Sequence, residues 1–150
     1  MTNVTANPSE DAAIRELRDG LTDAIRRKDA DRVVSYFSDA PVMYILSPPL
    51  QFAGDEGPGK DGVKEWFDSF EGPIGYDIRD LHIVAGADVA FCHSLIRISG
   101  TRRGGDPTDI WVRETLGLRK LDGAWKIAHQ HQSVPFYMDG SNKAAVDLKP

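Results

Sequence analysis

Around Tyr76 the hydrophobic pattern changes period, and this switch constrains the fold more than any other feature of the 150-residue sequence. Up to Phe70 apolar residues recur at helical spacing. From Tyr76 onward they alternate, in four stretches at about 76–85, 89–99, 108–121 and 124–134. The breaks between these stretches are short and rich in turn formers: Gly86 to Asp88, Gly104 to Pro107, and Asp122-Gly123. Consecutive strands joined that tightly must pair antiparallel. Ahead of the switch the spacing predicts three helices. Ser9 can cap the first, with Glu10 and Asp11 at its positive end and an apolar stripe of Ile14, Leu17, Leu21 and Ile25 reaching to Lys28. Asp29 can cap a second that carries Ala30, Val33, Val34 and Phe37. Val63, Trp66, Phe67 and Phe70 mark a third, closed by Gly72 and Pro73. Between the second and third lie a short strand, Val42 to Leu46, broken by Pro48 and Pro49, and a glycine-rich loop from Gly54 to Gly62 that reads as a mobile rim.

The expected architecture is α+β, a cone-shaped, curved antiparallel sheet wrapped on three N-terminal helices. It forms one domain over residues 9–136, with a polar, disordered stretch at 1–8 and a locally packed tail at 137–150. Eighteen basic residues against 23 acidic ones give a net charge of -5, with no basic stripe for nucleic acid or an anionic membrane. No stretch approaches the roughly 20 apolar residues of a membrane span, and the simplest location is cytoplasmic. The single cysteine, Cys92, sits in an alternating apolar stretch and reads as a small buried thiol.

A curved sheet with helices on one face encloses a space, where a ligand would sit. The helix pair, the short strand ending near Pro48, the third helix, and the run ETLGLRKLDGAWKIAHQHQS from Glu114 to Ser133 together resemble the nuclear transport factor 2-like (NTF2-like, cystatin-like) superfamily. Within it the chain is similar to the SnoaL-like and ketosteroid isomerase-like group. Its closing strands are also similar to the association domain of calcium/calmodulin-dependent protein kinase II. Such folds host isomerases, dehydratases and noncatalytic binding or assembly modules, so the fold alone does not name a reaction.

Alternation gives each strand two faces, and periodicity leaves open which one looks inward. The resemblance implies that His93, Arg97, Glu114, Gln130 and Gln132 face the cavity. Trp111, Trp125, Ile127, His129, His131, Arg113 and Thr115 then cover the outer face. The last hairpin admits two registers. A glycine bulge at Gly123 sets Glu114 opposite Gln130, whereas a two-residue Asp122-Gly123 turn sets it opposite His131. The bulge agrees with the implied faces and is the expected register.

On that assignment His93 is the proton carrier, since an imidazole in an apolar pocket can exchange a proton near neutral pH. A histidine satisfied by one backbone carbonyl is the plain alternative. Arg97 and Glu114, on adjacent strands, would tune or orient the reacting groups, or simply form a structural ion pair. Tyr44, Trp66, Phe70, Gln130 and Gln132 are the substrate-binding candidates. Ketosteroid isomerases use a carboxylate base at the position of Tyr44, and a phenol with an ordinary pKa of about 10 is a poor substitute. His129 and His131 share a face but lack a third ligand, so neither a metal nor another cofactor is expected. The leading function is binding of a small, largely apolar carbonyl or hydroxy compound, with cofactor-free isomerase or dehydratase chemistry. The alternative is a noncatalytic binding or assembly domain. In either case a homodimer through the outer sheet face is expected.

Overall fold

A computed structural model describes residues 7–150, so the disorder expected of residues 1–8 lies, for residues 1–6, outside the described residues. Helix α1 spans Pro8–Arg26 and is capped by Asn7, whose side chain accepts from the Ser9 backbone N–H; it is not capped by Ser9. Proline suits the first helical position because its missing N–H has no partner to lose there. The stripe of Ile14, Leu17, Leu21, Ala24 and Ile25 is buried against the sheet, and Arg18 is buried with it. A glycine inside this helix costs about 1 kcal/mol relative to alanine. Gly20 is there for space: a Cβ would stand 2.1 Å from the Tyr36 hydroxyl.

Asp29 caps α2, Ala30–Ser35, by accepting from the Arg32 backbone N–H at 3.1 Å. Phe37, expected in that helix, instead opens strand β1, Phe37–Tyr44. Pro41, which has no N–H and pushes Ala40 into extended backbone, fits the strand and not a continued helix. A two-residue strand β2, Phe52–Ala53, and a single 3-10 turn at Gly54–Glu56 lead to α3, Gly59–Asp68. The alternating half of the chain forms β3, Phe70–Ala85; β4, Val89–Arg102; β5, Pro107–Leu121; and β6, Ala124–Ser133.

These strands make one six-stranded sheet in the order β2-β1-β6-β5-β4-β3, and the α+β class holds. The sheet is mixed, because β1 lies parallel to β6 while all other neighbours are antiparallel. The core between the helices and the inner face includes Ile96, Val112, Leu116, Leu118 and Ile127, each at most 1% exposed. The tail folds back locally, with Phe136 bridging to Ala144 and Ala145 buried.

Register decides which side chains reach the interior. Thr101 faces Pro107 across the β4–β5 turn, so residues of like parity oppose each other and Ser94 lies opposite Glu114. The β5–β6 hairpin follows neither expected register. Asp122 and Gly123, both with positive φ, form a two-residue turn between Leu121 and Ala124. Leu118 then pairs with Ile127 and Gly117 with His129, leaving Ala128 as an extra residue in β6. Beyond this bulge Leu116 opposes Gln130 and Glu114 opposes Gln132. The inner face of β6 therefore reads Trp125, Ile127, Gln130, and then the half-buried Gln132.

Candidate functional site

Between α2, α3, the 45–58 segment and the inner face of the sheet lies a cavity of about 660 Å³. Its wall is mostly apolar, with Val33, Phe37, Met43, Phe52, Trp66 and Ile110 among the lining residues. Helical spacing brings Val33 and Trp66 to it, and strand alternation brings Met43 and Ile110. Gln130 and Gln132 contribute amides from β6, and Tyr76 contributes a phenol from β3.

Behind the amides is a buried polar cluster. Glu114 is 2% exposed and Arg18 0%, with Arg18 Nη2 lying 2.9 Å from Glu114 Oε1. That contact is an ion pair without hydrogen-bond alignment, and none of the three guanidinium nitrogens has a hydrogen-bond partner among the described residues. The other carboxylate oxygen is well served, since Glu114 Oε2 accepts from Gln130 Nε2 at 2.9 Å and from Gln132 Nε2 at 2.8 Å. Burial works against the Arg18 cation, but the Glu114 carboxylate together with Tyr76 and Cys92 more than offsets it, so Arg18 stays charged. Desolvation, with the Glu114 charge adding to it, raises the Tyr76 phenol above its usual range. Burial also pushes the Cys92 thiol up to about 11.

The expected site residues divide between the two faces. Glu114, Gln130 and Gln132 come together on the inner face, and Trp66 lines the cavity. Phe70 is 2% exposed in the core below Trp66, with the Arg102 guanidinium 4.0 Å over its ring, and it does not line the cavity. His93 and Arg97 were expected in the cavity and lie on the outer face instead, because the register gives the interior to Cys92, Ser94, Ile96 and Ile98. His93 is exposed and stacks on His82 with ring centroids 5.3 Å apart. Arg97 makes a two-pronged ion pair with Asp109 at 2.8 Å, so the partner of Glu114 is Arg18.

Tyr44 is likewise outside, since it pairs with His131 in the parallel β1–β6 ladder and packs edge-on against His129 and His131. His129 Nδ1 is 2.8 Å from the Val42 carbonyl oxygen, so one of its ring nitrogens is taken by backbone. Trp125 and Ile127, expected outside, are buried inside; the Trp125 indole donates to Glu10 of α1, which also pairs with Lys120. The β6 bulge is the reason for this exchange. Sequence reading passed over Arg18 and Tyr76. The signal for Arg18 was its place on the helical stripe, four residues after Ile14 and one after Leu17.

The SnoaL-like domain family matches residues 14–137 of the chain. An NTF2-like protein of unknown function from Pseudomonas putida has 27% identity over 97% of this chain and 99% of that one, with a TM-score of 0.85. A ketosteroid isomerase-like protein from Erwinia carotovora atroseptica is similar at 24% identity, covering 81% and 93% of the two chains, with a TM-score of 0.63. The association domain of C. elegans CaMKII is similar at 17% identity over 84% and 96%, with a TM-score of 0.66. No curated protein matches the sequence. With the family match covering nearly all of the helices and sheet that enclose the cavity, the chain belongs to the SnoaL-like domain family and has the NTF2-like fold.

Proposed function

We propose that this protein binds a small, largely apolar organic molecule carrying one polar group, enclosed between the helices and the inner face of the sheet. The carrying observation is the cavity of about 660 Å³, apolar in most of its lining, with two amides on its sheet wall. Its size and the mixture of a greasy wall with few polar groups match the usual form of small-molecule sites. Burying an apolar ligand there is favourable by about 25 cal/mol per Å² of surface removed from water, and the amides set its orientation. Ile110→Trp, which puts an indole into the cavity from β5, should abolish binding of naphthalene, followed by calorimetry, while urea denaturation stays cooperative. Undiminished binding in a folded Ile110→Trp protein would place the ligand elsewhere.

A second reading, acid–base conversion of the bound molecule by an isomerase- or dehydratase-like reaction, is favoured by the buried carboxylate of Glu114 one amide away from the cavity. Glu114 would then be the base, and His93 and Arg97, on the other face, would not touch the substrate. Turnover of a hydroxy ketone should be lost in a folded Glu114→Gln protein; turnover that survives would remove Glu114 as the base, and no turnover by the wild-type protein would leave binding alone.

A further inference from the structure

Arg102 is a cation on the cavity wall that the protein holds in place without neutralising it. It stands near the end of β4, half-buried, and lines the cavity together with Trp66, Ile98 and Ile110. Gly100, two places back on the same face, leaves room for the Phe70 ring, since a Cβ there would stand 2.9 Å from it. The Arg102 guanidinium sits 4.0 Å over that ring. Its Nε donates to Thr108 Oγ1 at 3.3 Å and its Nη1 donates to Ser69 Oγ. The Ser69 hydroxyl gives its own hydrogen to the Trp66 carbonyl, so a lone pair is what it has left for Arg102. These partners fix the side chain but leave its charge uncancelled. Among the described residues no carboxylate lies within ion-pair distance of Arg102, and its Nη2 makes no hydrogen bond. The other cation on the lining, Lys60, is exposed and paired with Asp31. Asp39, Asp55 and Glu65 also line the cavity, but all three are exposed, where water and salt screen them.

We infer that Arg102 anchors an anionic group, so that the site takes an apolar ring system bearing a carboxylate. This inference rests on the binding reading above and narrows its ligand class. With Nε and one Nη1 hydrogen committed, the guanidinium keeps enough N–H groups for a carboxylate to accept two. The side chain is already ordered by Phe70, Ser69 and Thr108, so little rotamer freedom is lost when the acid arrives. Trp66, Ile98 and Ile110 receive the apolar body and keep water from screening the new ion pair. The amides are a separate polar station. Thr108, which holds Arg102, is six places along β5 from Glu114, which holds Gln130 and Gln132. That is roughly 20 Å of strand, with Ile110 and Val112 between on the same face. Charge-assisted hydrogen bonds are about twice as strong as neutral ones. An acid therefore turns its polar end to Arg102, whereas a neutral alcohol is left to the amides.

The test compares 2-naphthoate with its methyl ester, which share a skeleton and differ in charge, with naphthalene as the apolar control, by calorimetric titration at neutral pH. The acid, ionised there, should bind at least about tenfold more tightly than the ester. In Arg102→Met, or in Arg102→Gln should the methionine variant fail to fold, the acid should lose that advantage while naphthalene still binds. An acid bound no more tightly than its ester by the wild-type protein overturns the inference and leaves the binding reading standing. An advantage that survives loss of the guanidinium in a folded variant does the same. Failure of all three compounds, naphthalene included, overturns the binding reading and the inference with it.

Discussion

At the scale of single residues, the ion pair of Arg18 and Glu114 is the most consequential contact in the molecule. Breaking a buried pair strands a charge, whereas replacing both partners can be nearly neutral. Arg18→Met should therefore cost about 3–5 kcal/mol in urea denaturation, and Arg18→Met/Glu114→Gln should recover much of that loss. A single variant as stable as wild type would mean that the pair is not buried in solution. Titration gives a second prediction. Burial lifts the Cys92 thiol from 9.0 to about 11, while Arg18 pulls it down and Glu114 pushes it up. The folded protein thus holds that proton to a higher pH than the unfolded chain does. The stability from this source is complete below about pH 9 and is lost as the pH climbs through about 11, an effect of up to about 3 kcal/mol. Tyr76, raised in the same direction, steepens the decline. Cys92→Ala should flatten the fall in the denaturation midpoint between pH 9 and 11, and an unchanged slope would refute the assignment. Glu114, Gln130 and Gln132 were legible in the sequence as neighbours. Arg18 was not, because an arginine on an apolar helical stripe reads as a snorkelling surface cation until its partner on another strand is known.

At the scale of elements, the bulge at Ala128 determines the character of the inner wall. An unbroken β6 would carry Trp125, Ile127, His129 and His131 on one face. The extra residue substitutes Gln130 and Gln132 for the two histidines. Ala128 is supernumerary, so its deletion leaves Ile127 opposite Leu118 and His129 opposite Gly117. The deletion variant should fold, keep both amides inward and still bind naphthalene, with a stability loss of no more than about 2 kcal/mol. Deleting His131 instead moves Gln132 to the outer face and should weaken binding of 2-naphthol, whose hydroxyl an inward Gln132 amide can bond. If removal of Ala128 abolishes binding in a folded protein, the bulge does more than set parity. Helices and strands were legible because their periods are local properties of the chain. The faces of β4 and β6 were not, since each depends on a register: one set by the Arg103–Asp106 turn, the other by a bulge with no glycine or proline to announce it. The same blindness moved His93 from the cavity to the outer surface.

For the whole molecule, the outer face of the sheet is the surface to account for. Phe91 is 46% exposed there and Val89 60%, with Leu95 and Trp111 half-buried alongside. Trp125 and Ile127 have left this face for the core, yet the remaining apolar groups cluster at its β4–β5 side. A second copy of this chain is the proposed cover, since an apolar patch of this kind on a sheet face suits an interface between identical chains. Light scattering at micromolar concentration should report twice the chain mass, and Trp111→Glu should shift it toward the monomer without loss of naphthalene binding. A wild-type monomer would leave this face to solvent. The α+β architecture was legible from the change of period, but the parallel docking of β1 beside β6 was not, because nothing local announces a pairing across 87 residues, the separation of Val42 and His129. That pairing bears on how the chain acquires its shape during synthesis. Apart from the two-residue β2, the ladder partner of β1 is β6, which is made about 80 residues after it. Contacts so distant in sequence slow folding. Until β6 emerges, Phe37 and Met43 wait without the strand that will enclose them, so between the synthesis of β1 and β6 the growing chain offers an unpaired, partly greasy edge, the interval in which a chaperone has the most to hold.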